Sequence, residues 1–248
     1  MKINNYPRNW SENIQFSTPT IEYPRSLSQI KQIIKKNIKV HVGGTFHCFN
    51  NIADSQGIII SLKYMNKICT KCPNSVLIEA GVTYSLLAEE LAKFDRAIIN
   101  FPSLPHLNII GSIVTGTHGG GKDLLIMASL VEEYTIMDGN GNLYLIKKSD
   151  PRFKKLLVSL GYLGIIVSVR LKTVPSFEIQ KSIYQNIEFD QFKKVGTSIF
   201  SEKEYSSLFI DLNKKGVSSA WFGKKIKSNN FTGIFYKINN YENLLKNI

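Results

Sequence analysis

The 248-residue sequence predicts an α+β chain in two parts that meet near Pro175. Three observations point that way. The chain opens as a strand, an amphipathic helix and a second strand. A hairpin signal, Asp138-Gly139-Asn140-Gly141, lies between two apolar runs at 130–137 and 143–147. Beyond Pro175, residues 206–211 and 218–225 read as further strands.

The elements follow in order. Ile21-Glu22-Tyr23-Pro24 is a short strand. Ser26-x-x-Gln29 is a capping box, and it opens a helix to about Lys36 with Leu27, Ile30, Ile33 and Ile34 on one face. Lys39-Val40-His41-Val42 completes the β-α-β opening. Residues 57–61 and 75–80 are buried strands. Thr83 caps a helix that carries Leu86, Leu87, Leu91 and Phe94. A loop with two prolines spans 100–106, and a glycine-dense stretch spans 111–121. Asp150 caps, and Pro151 begins, a helix expected to run to about Leu160, where Gly161 stops it. Residues 164–171 form one more strand. No internal repeat is evident.

Composition narrows the class. Hydrophobic residues at 43% and charged residues at 20% are ordinary for a globular chain. No apolar run approaches the roughly 18 residues of a membrane span, so no integral membrane segment is expected. The N-terminus lacks the apolar core of a secretory signal. Three cysteines, an odd number, argue against a disulfide framework, and Cys69-x-x-Cys72 has no second pair to complete a zinc site. A reduced, cytoplasmic chain without a metal is the expectation. The net charge of +12 is spread along the chain. Its densest run, Lys214 to Lys227, contains Trp221 and Phe222 and reads as the solvated basic face of a strand, so nucleic acid is not an expected partner.

The chemistry concentrates at two glycine segments. In Val42-Gly43-Gly44-Thr45-Phe46-His47-Cys48-Phe49-Asn50, paired glycines follow a strand and a histidine follows them. Glycines permit positive φ and close backbone approach. Successive N–H groups then form an anion-binding nest, beside which a histidine offers a ring nitrogen. The second segment runs Gly111-Ser112-Ile113-Val114-Thr115-Gly116-Thr117-His118-Gly119-Gly120-Gly121. Residues 116–122 within it match the G-x-x-x-x-G-K core of a P-loop, followed by a possible helix at 123–133. Asp123 stands where a magnesium-binding hydroxyl belongs, and Asp138 is better explained as a turn residue; a P-loop nucleotide hydrolase is retained as an alternative. His118-Gly119-Gly120-Gly121 also matches an esterase oxyanion signature. No histidine follows His118, so that triad cannot be completed. Taken together, two glycine loops from separate subdomains would enclose one extended anionic ligand, with Ser103, Ser112, Thr115 and Thr117 supplying hydroxyl donors.

Several segments, in order, resemble the alditol oxidase and sugar-1,4-lactone oxidase branch of the vanillyl-alcohol oxidase and p-cresol methylhydroxylase flavoproteins. They are Asn9-Trp10, Gly44 to Asn50, Ser103-Leu104-Pro105-His106, Gly111 to Gly119 and the Ser-Leu-Gly-x-Leu-Gly of Ser159 to Gly164. The resemblance implies a two-lobed p-cresol methylhydroxylase-type FAD-binding domain over 10–174, then an incomplete α+β substrate domain over 175–248. It implies FAD attached covalently through His47 to the flavin 8α methyl. The cofactor-binding residues it implies are Val42, Gly43, Gly44, Thr45, Phe46, His47, Cys48, Asn50, Ser103, Asn108, Gly111, Ser112, Thr115, Gly116, Thr117, Gly119 and Ile166. Ser103 doubles as the catalytic residue, near the flavin and a substrate hydroxyl. The implied reaction oxidises a CH–OH group of a polyol or aldonolactone. Hydride passes to flavin N5, and oxygen or another acceptor reoxidises the flavin.

Two departures stand out. Phe46 replaces a small residue and Cys48 a serine. The family's later polar substrate residues and its His-Trp-x-Lys motif have no counterpart here. The alternatives are an FAD-binding remnant, or half of a split oxidase whose companion chain completes the substrate domain.

Overall fold

The computed structural model describes residues 6–121, 123–195, 204–213, 216–226 and 236–239. Lys122 of the P-loop-like stretch, Lys214, Lys215 and Lys227 of the basic run, and the end of the expected substrate domain lie outside them.

The chain opens with β1 (Ile21–Glu22), α1 (Leu27–Lys36), β2 (Val40–Val42) and β3 (Ile58–Ile60). Next come β4 (Ile68–Cys69), β5 (Ser75–Glu79), α2 (Tyr84–Ala92), β6 (Arg96–Ala97) and α3 (Ile109–Val114). They are followed by β7 (Val131–Met137), β8 (Leu143–Lys147), α4 (Phe153–Leu156), β9 (Ile165–Lys172) and β10 (Val174–Pro175). The last elements are β11 (Glu178–Glu188), α5 (Phe189–Val195), β12 (Tyr205–Asp211), β13 (Gly216–Ile226) and β14 (Tyr236–Asn239).

The chain divides into two compact units, Met1–Thr117 with Ile126–Val174, and His118–Leu125 with Pro175–Ile248. The first unit holds two larger sheets. One is parallel, in the order β1-β3-β2, and the other is antiparallel, β4-β5-β9-β7-β8. Ser26 caps α1 by accepting from the Gln29 N–H, while the Gln29 side chain accepts from the Arg25 N–H one residue upstream of the cap. Ile30 then faces inward, with no accessible surface. It joins a continuous core with Ile60 of β3, Val76 and Ile78 of β5, Ile109 and Ile113 of α3, and Val169 of β9. Each such side chain contributes about 1.5–3 kcal/mol of burial. A smaller cluster of Phe16, Ala53 and Ile59 supports the loop after β2.

Two local expectations are corrected. The helix expected to reach Leu160 ends at Leu156. Leu160 takes a left-handed φ of 55° and gives its N–H to the Val114 carbonyl, so its segment is drawn to the end of α3 instead of continuing a helix. No helix covers 123–133: Met127–Leu130 is a short 3-10 turn and Val131 begins β7. A P-loop requires a helix there, so that alternative loses its structural basis. Asp138 serves the β7–β8 turn, accepting from the N–H groups of Asn140 and Asn142 and from the Tyr144 hydroxyl.

The second unit holds the sheet β12-β13-β11-β14. Its core is Tyr184, Ile187, Val217, Ala220 and Phe222, with Phe192 of α5 against them. The 11-residue β11 at its centre escaped the sequence reading. Among the described residues no helix is long and apolar enough to cross a membrane, and no group of three His, Cys, Asp or Glu could hold a metal ion.

Candidate functional site

β2 ends at Val42, and Gly43 extends its pairing one step by donating to the Ile60 carbonyl at 2.9 Å. The chain then turns. Phe46 adopts a left-handed φ of 56°, and its ring folds back over Gly43. A Cβ on Gly43 would lie 2.1 Å from Phe46 Cε1. The ring also packs against Phe16, centroids 5.2 Å apart. Phe46 is thus a hydrophobic plug that fixes the turn, and glycine at 43 is its steric counterpart.

Among the described residues, the backbone N–H groups of Gly44, Thr45, Phe46 and His47 have no hydrogen-bond acceptor. Four consecutive unsatisfied donors on a half-buried loop form a site for anionic oxygens. Asn108 holds the facing side. It caps α3 by accepting from the Gly111 N–H at 2.8 Å, donates to the Ala80 carbonyl at 2.7 Å, and gives its own N–H to Thr45 Oγ1 at 3.1 Å. Because Thr45 accepts there, its hydroxyl proton points elsewhere. A Cβ on Gly44 would meet the Asn108 side chain at 3.0 Å, so this approach also requires glycine.

Two adjoining cavities flank these loops. One, of about 650 Å³, is lined by Val42 to Thr45, Ser61 to Lys63, Ala80, Gly81, Thr83, Asn108, Ile110, Gly111, Val114, Gly161, Gly164 and Ile166. The other, of about 1100 Å³, continues past Val42, Gly44, Thr45, Asn108, Gly111, Val114 and Gly161 to Phe46, His47, Cys48, Asn50, Ser112, Thr115 and Thr117. No carboxylate lines either cavity among the described residues, and Lys63 lines one of them with its ammonium over the Tyr23 and Tyr64 rings. This is the electrostatics an anionic ligand needs.

His47 lies on the second cavity wall, with Nε2 2.7 Å from Nε2 of His106. The Trp10 ring stacks on it at 4.6 Å and 26°. Burial, and then the neighbouring His106, lower the His47 pKa, which favours the neutral, nucleophilic ring. The Trp10 N–H donates to the Phe46 carbonyl, and Asn9 Nδ2 donates to the Cys48 carbonyl, tying this N-terminal segment to the loop. Asn50 caps the next turn through the Ile52 N–H. Burial pushes the Cys48 thiol pKa up, keeping it protonated.

Other expected site residues have other partners. Ser112 donates its hydroxyl to the Ile109 carbonyl and receives the buried Tyr84 hydroxyl, whose pKa burial pushes up to about 12. Thr115 donates to the Gly111 carbonyl. Thr117 in turn donates to Thr115 Oγ1 at 3.3 Å, so of the threonines expected at the site Thr45 alone keeps a proton free for a ligand. Gly116, at φ 69°, follows the C-cap of α3 and ends that helix. Gly119 belongs to the second unit. Next to it, Gly120 and Gly121 press against β12: Cβ atoms there would lie 2.2 Å from the Ser206 carbonyl and 2.0 Å from that of Glu204. Gly120 and Gly121 therefore serve strand contact within that unit. Ser103 is exposed and lines neither cavity.

The wall formed by Ser61 to Lys63, Gly81, Gly161 and Gly164 was not foreseen as site. Gly81 carries the same signal as Gly43, a glycine closing an apolar strand, and its Cβ would lie 2.1 Å from the Leu62 carbonyl. His106 was quoted only as part of a motif; its pairing with His47 spans 59 residues and has no local signature.

Comparison with known proteins agrees with this geometry. A family model described as an FAD binding domain matches residues 20–146. Alditol oxidase of Streptomyces sp. is 26% identical over 227 residues, covering 88% of this chain and 53% of that protein. L-gulonolactone oxidase of Mus musculus is 28% identical over 185 residues, covering 71% and 42%. Crystalline cholesterol oxidase from B. sterolicum superposes with a TM-score of 0.72 at 20% identity, covering 89% of this chain and 47% of that one, a likeness of fold. The chain spans about half the length of the curated relatives it matches.

Proposed function

As this chain belongs to the FAD binding domain family, we propose that it holds its FAD covalently through His47 and serves the oxidation of a CH–OH group on a polyol or aldonolactone. One observation carries the reading. Four free backbone donors, Gly44 to His47, end in a histidine whose ring lies on the same cavity wall. The donors, with the Thr45 hydroxyl, suit the pyrophosphate. The glycines at 43, 44 and 81 let Phe46, Asn108 and the Leu62 backbone pack against the loops that carry these donors. Asn108 and Gly111 shape the shared wall, and Val42 and Ile166 supply apolar surface. Phe46, Cys48, Asn50, Ser112 and Thr115 complete the wall around His47. Bound FAD supplies the two-electron acceptor, and molecular oxygen or another acceptor takes the electrons onward. The names of the alditol and L-gulonolactone oxidases support the substrate class.

A second reading is an FAD-holding chain without turnover of its own. The exposure of Ser103, outside both cavities, favours it, because a substrate contact must hold its partner within a fraction of an ångström to be effective. Ser103 keeps its place as a substrate contact through the family resemblance alone.

Acid precipitation tests the link. The expected pellet is yellow for the unaltered chain and colourless for His47→Ala; a colourless pellet from the unaltered chain overturns covalent attachment. Peroxide formation dependent on a polyol or lactone supports turnover. Its absence with FAD fully bound selects the second reading.

A further inference from the structure

Resting on the placement of FAD in the two adjoining cavities, we infer that His41 is a cofactor-binding residue: at the junction of those cavities its ring becomes the cation that faces the bound pyrophosphate. The strand sets its direction. Val40 and Val42 pack against the main core, so alternation along β2 turns His41 to the opposite face, where it pairs with Ile59 of β3. There it lines the larger cavity beside Ile52, Leu160 and Gly161. Its neighbours Val42 and Gly161 line both cavities, so an extended ligand that occupies both passes this point. A Cβ on Gly161 would lie 3.5 Å from His41 Cε1 and 3.9 Å from Nε2, and glycine there leaves this edge of the ring uncovered.

Charge points the same way. Among the described residues lining the two cavities, Lys63, His41 and His47 can carry positive charge. The Lys63 ammonium lies 4.3 Å from the Tyr23 ring centroid, and His47 is assigned to the flavin. His41 has a nitrogen to spare. The Ile52 carbonyl accepts from one nitrogen of its ring, and the other has no hydrogen-bond partner among the described residues. Burial lowers the His41 pKa from the ordinary 6.5, while the Ile52 carbonyl and the Asp54 charge raise it, so the unliganded ring is mostly neutral at neutral pH. Asp54 follows the turn Asn51–Ala53, and its carboxylate accepts from the Ser17 N–H and hydroxyl. Tyr162 faces the ring at a centroid distance of 5.7 Å, and Lys39, two residues upstream, donates to Gln56. His47 and Cys48 stand on the same cavity wall. An entering pyrophosphate raises the His41 pKa, so FAD association takes up a proton. The added affinity is complete below the pKa of the unliganded ring and is lost as pH rises through that of the complex.

The test titrates FAD into the full-length His47→Ala chain, where binding is reversible, from about pH 5 to about pH 8. FAD is expected to bind roughly tenfold more tightly at the lower end, for a rise of about one unit in the pKa of the ring. Calorimetry in two buffers of different ionisation enthalpy is expected to show proton uptake on binding. His41→Gln keeps an amide N–H for the Ile52 carbonyl and cannot be charged. Added to His47→Ala, it is expected to remove both the pH dependence and the proton uptake. Binding that tightens equally with His41→Gln overturns the role of His41 alone. No FAD held by either the unaltered or the His47→Ala chain overturns the placement of the cofactor beneath it. Should His41→Gln fail to fold, His106→Gln in the His47→Ala background decides: proton uptake that persists supports His41, and uptake that disappears belongs to His106 and counts against it.

Discussion

At the scale of single residues, the site is an exercise in steric pairing. Phe46 would be a liability in an open loop, since an exposed ring beside a ligand site invites misplacement. Here its ring occupies the space over Gly43 and seals against Phe16. The consequence is testable. Gly43→Ala is expected to destabilise the chain by roughly 1–3 kcal/mol through overpacking and to lower FAD occupancy. In Phe46→Ala, which vacates the clash, the same Gly43→Ala change should cost markedly less. Urea unfolding of the four chains in this cycle gives the coupling directly. Equal costs of Gly43→Ala in both backgrounds would mean that the two positions do not act as a pair.

At the scale of elements, Asn108 does the work of a junction. It caps the six-residue α3, bridges to the carbonyls of Ala80 and Val82 past the end of β5, and fixes Thr45 across the cleft. A helix this short has little stability of its own, so its cap and its buried face at Ile109, Ile110 and Ile113 hold it in place. Asn108→Ala removes the cap and strands the Ala80 carbonyl; a loss of roughly 2 kcal/mol or more is expected, read as a lower urea midpoint with unchanged slope. Asn108→Asp should retain the cap to Gly111 yet lose the donors to Ala80 and Val82, and so fall between the two. An Asp variant as unstable as Ala would assign the whole effect to the carbonyl bridge.

Over the whole molecule, most of the FAD binding domain match at 20–146 falls in the first unit, whose parallel and antiparallel sheets form the p-cresol methylhydroxylase-type fold, and FAD is proposed to bind there. Ligand binding to the native state stabilises it by about 2.7 kcal/mol at a hundred-fold excess over Kd. In a His47→Ala chain, where binding is reversible, added FAD is expected to raise the melting temperature. It should also slow hydrogen exchange at the amides of Gly44 to His47, with the β11–β13 pairing changed least. Slowed exchange confined to the second unit would move the cofactor elsewhere.

How much of this was legible in the sequence differs by the range of the interaction. Ser26, Thr83 and the Asp138 turn announce themselves locally, because caps and turns are built from neighbours in the chain; all three stand as expected. The glycine loop before His47 was legible for the same reason, and the ordered family segments pointed to the FAD binding family that the comparisons show. The end of α4 at Leu156, the recruitment of Leu160 to Val114, and the use of Gly120 and Gly121 against β12 were not legible, since each depends on a partner distant in sequence. The sequence alone therefore determined the FAD-binding class of this chain and marked out the glycine loop that runs into His47. Only tertiary structure decided which glycines line the cavity, which hydroxyls keep a free proton, and that His106 meets His47. His106 meets His47 across 59 residues and Gly120 meets Ser206 across 86, separations at which geometry rather than local propensity sets the partner.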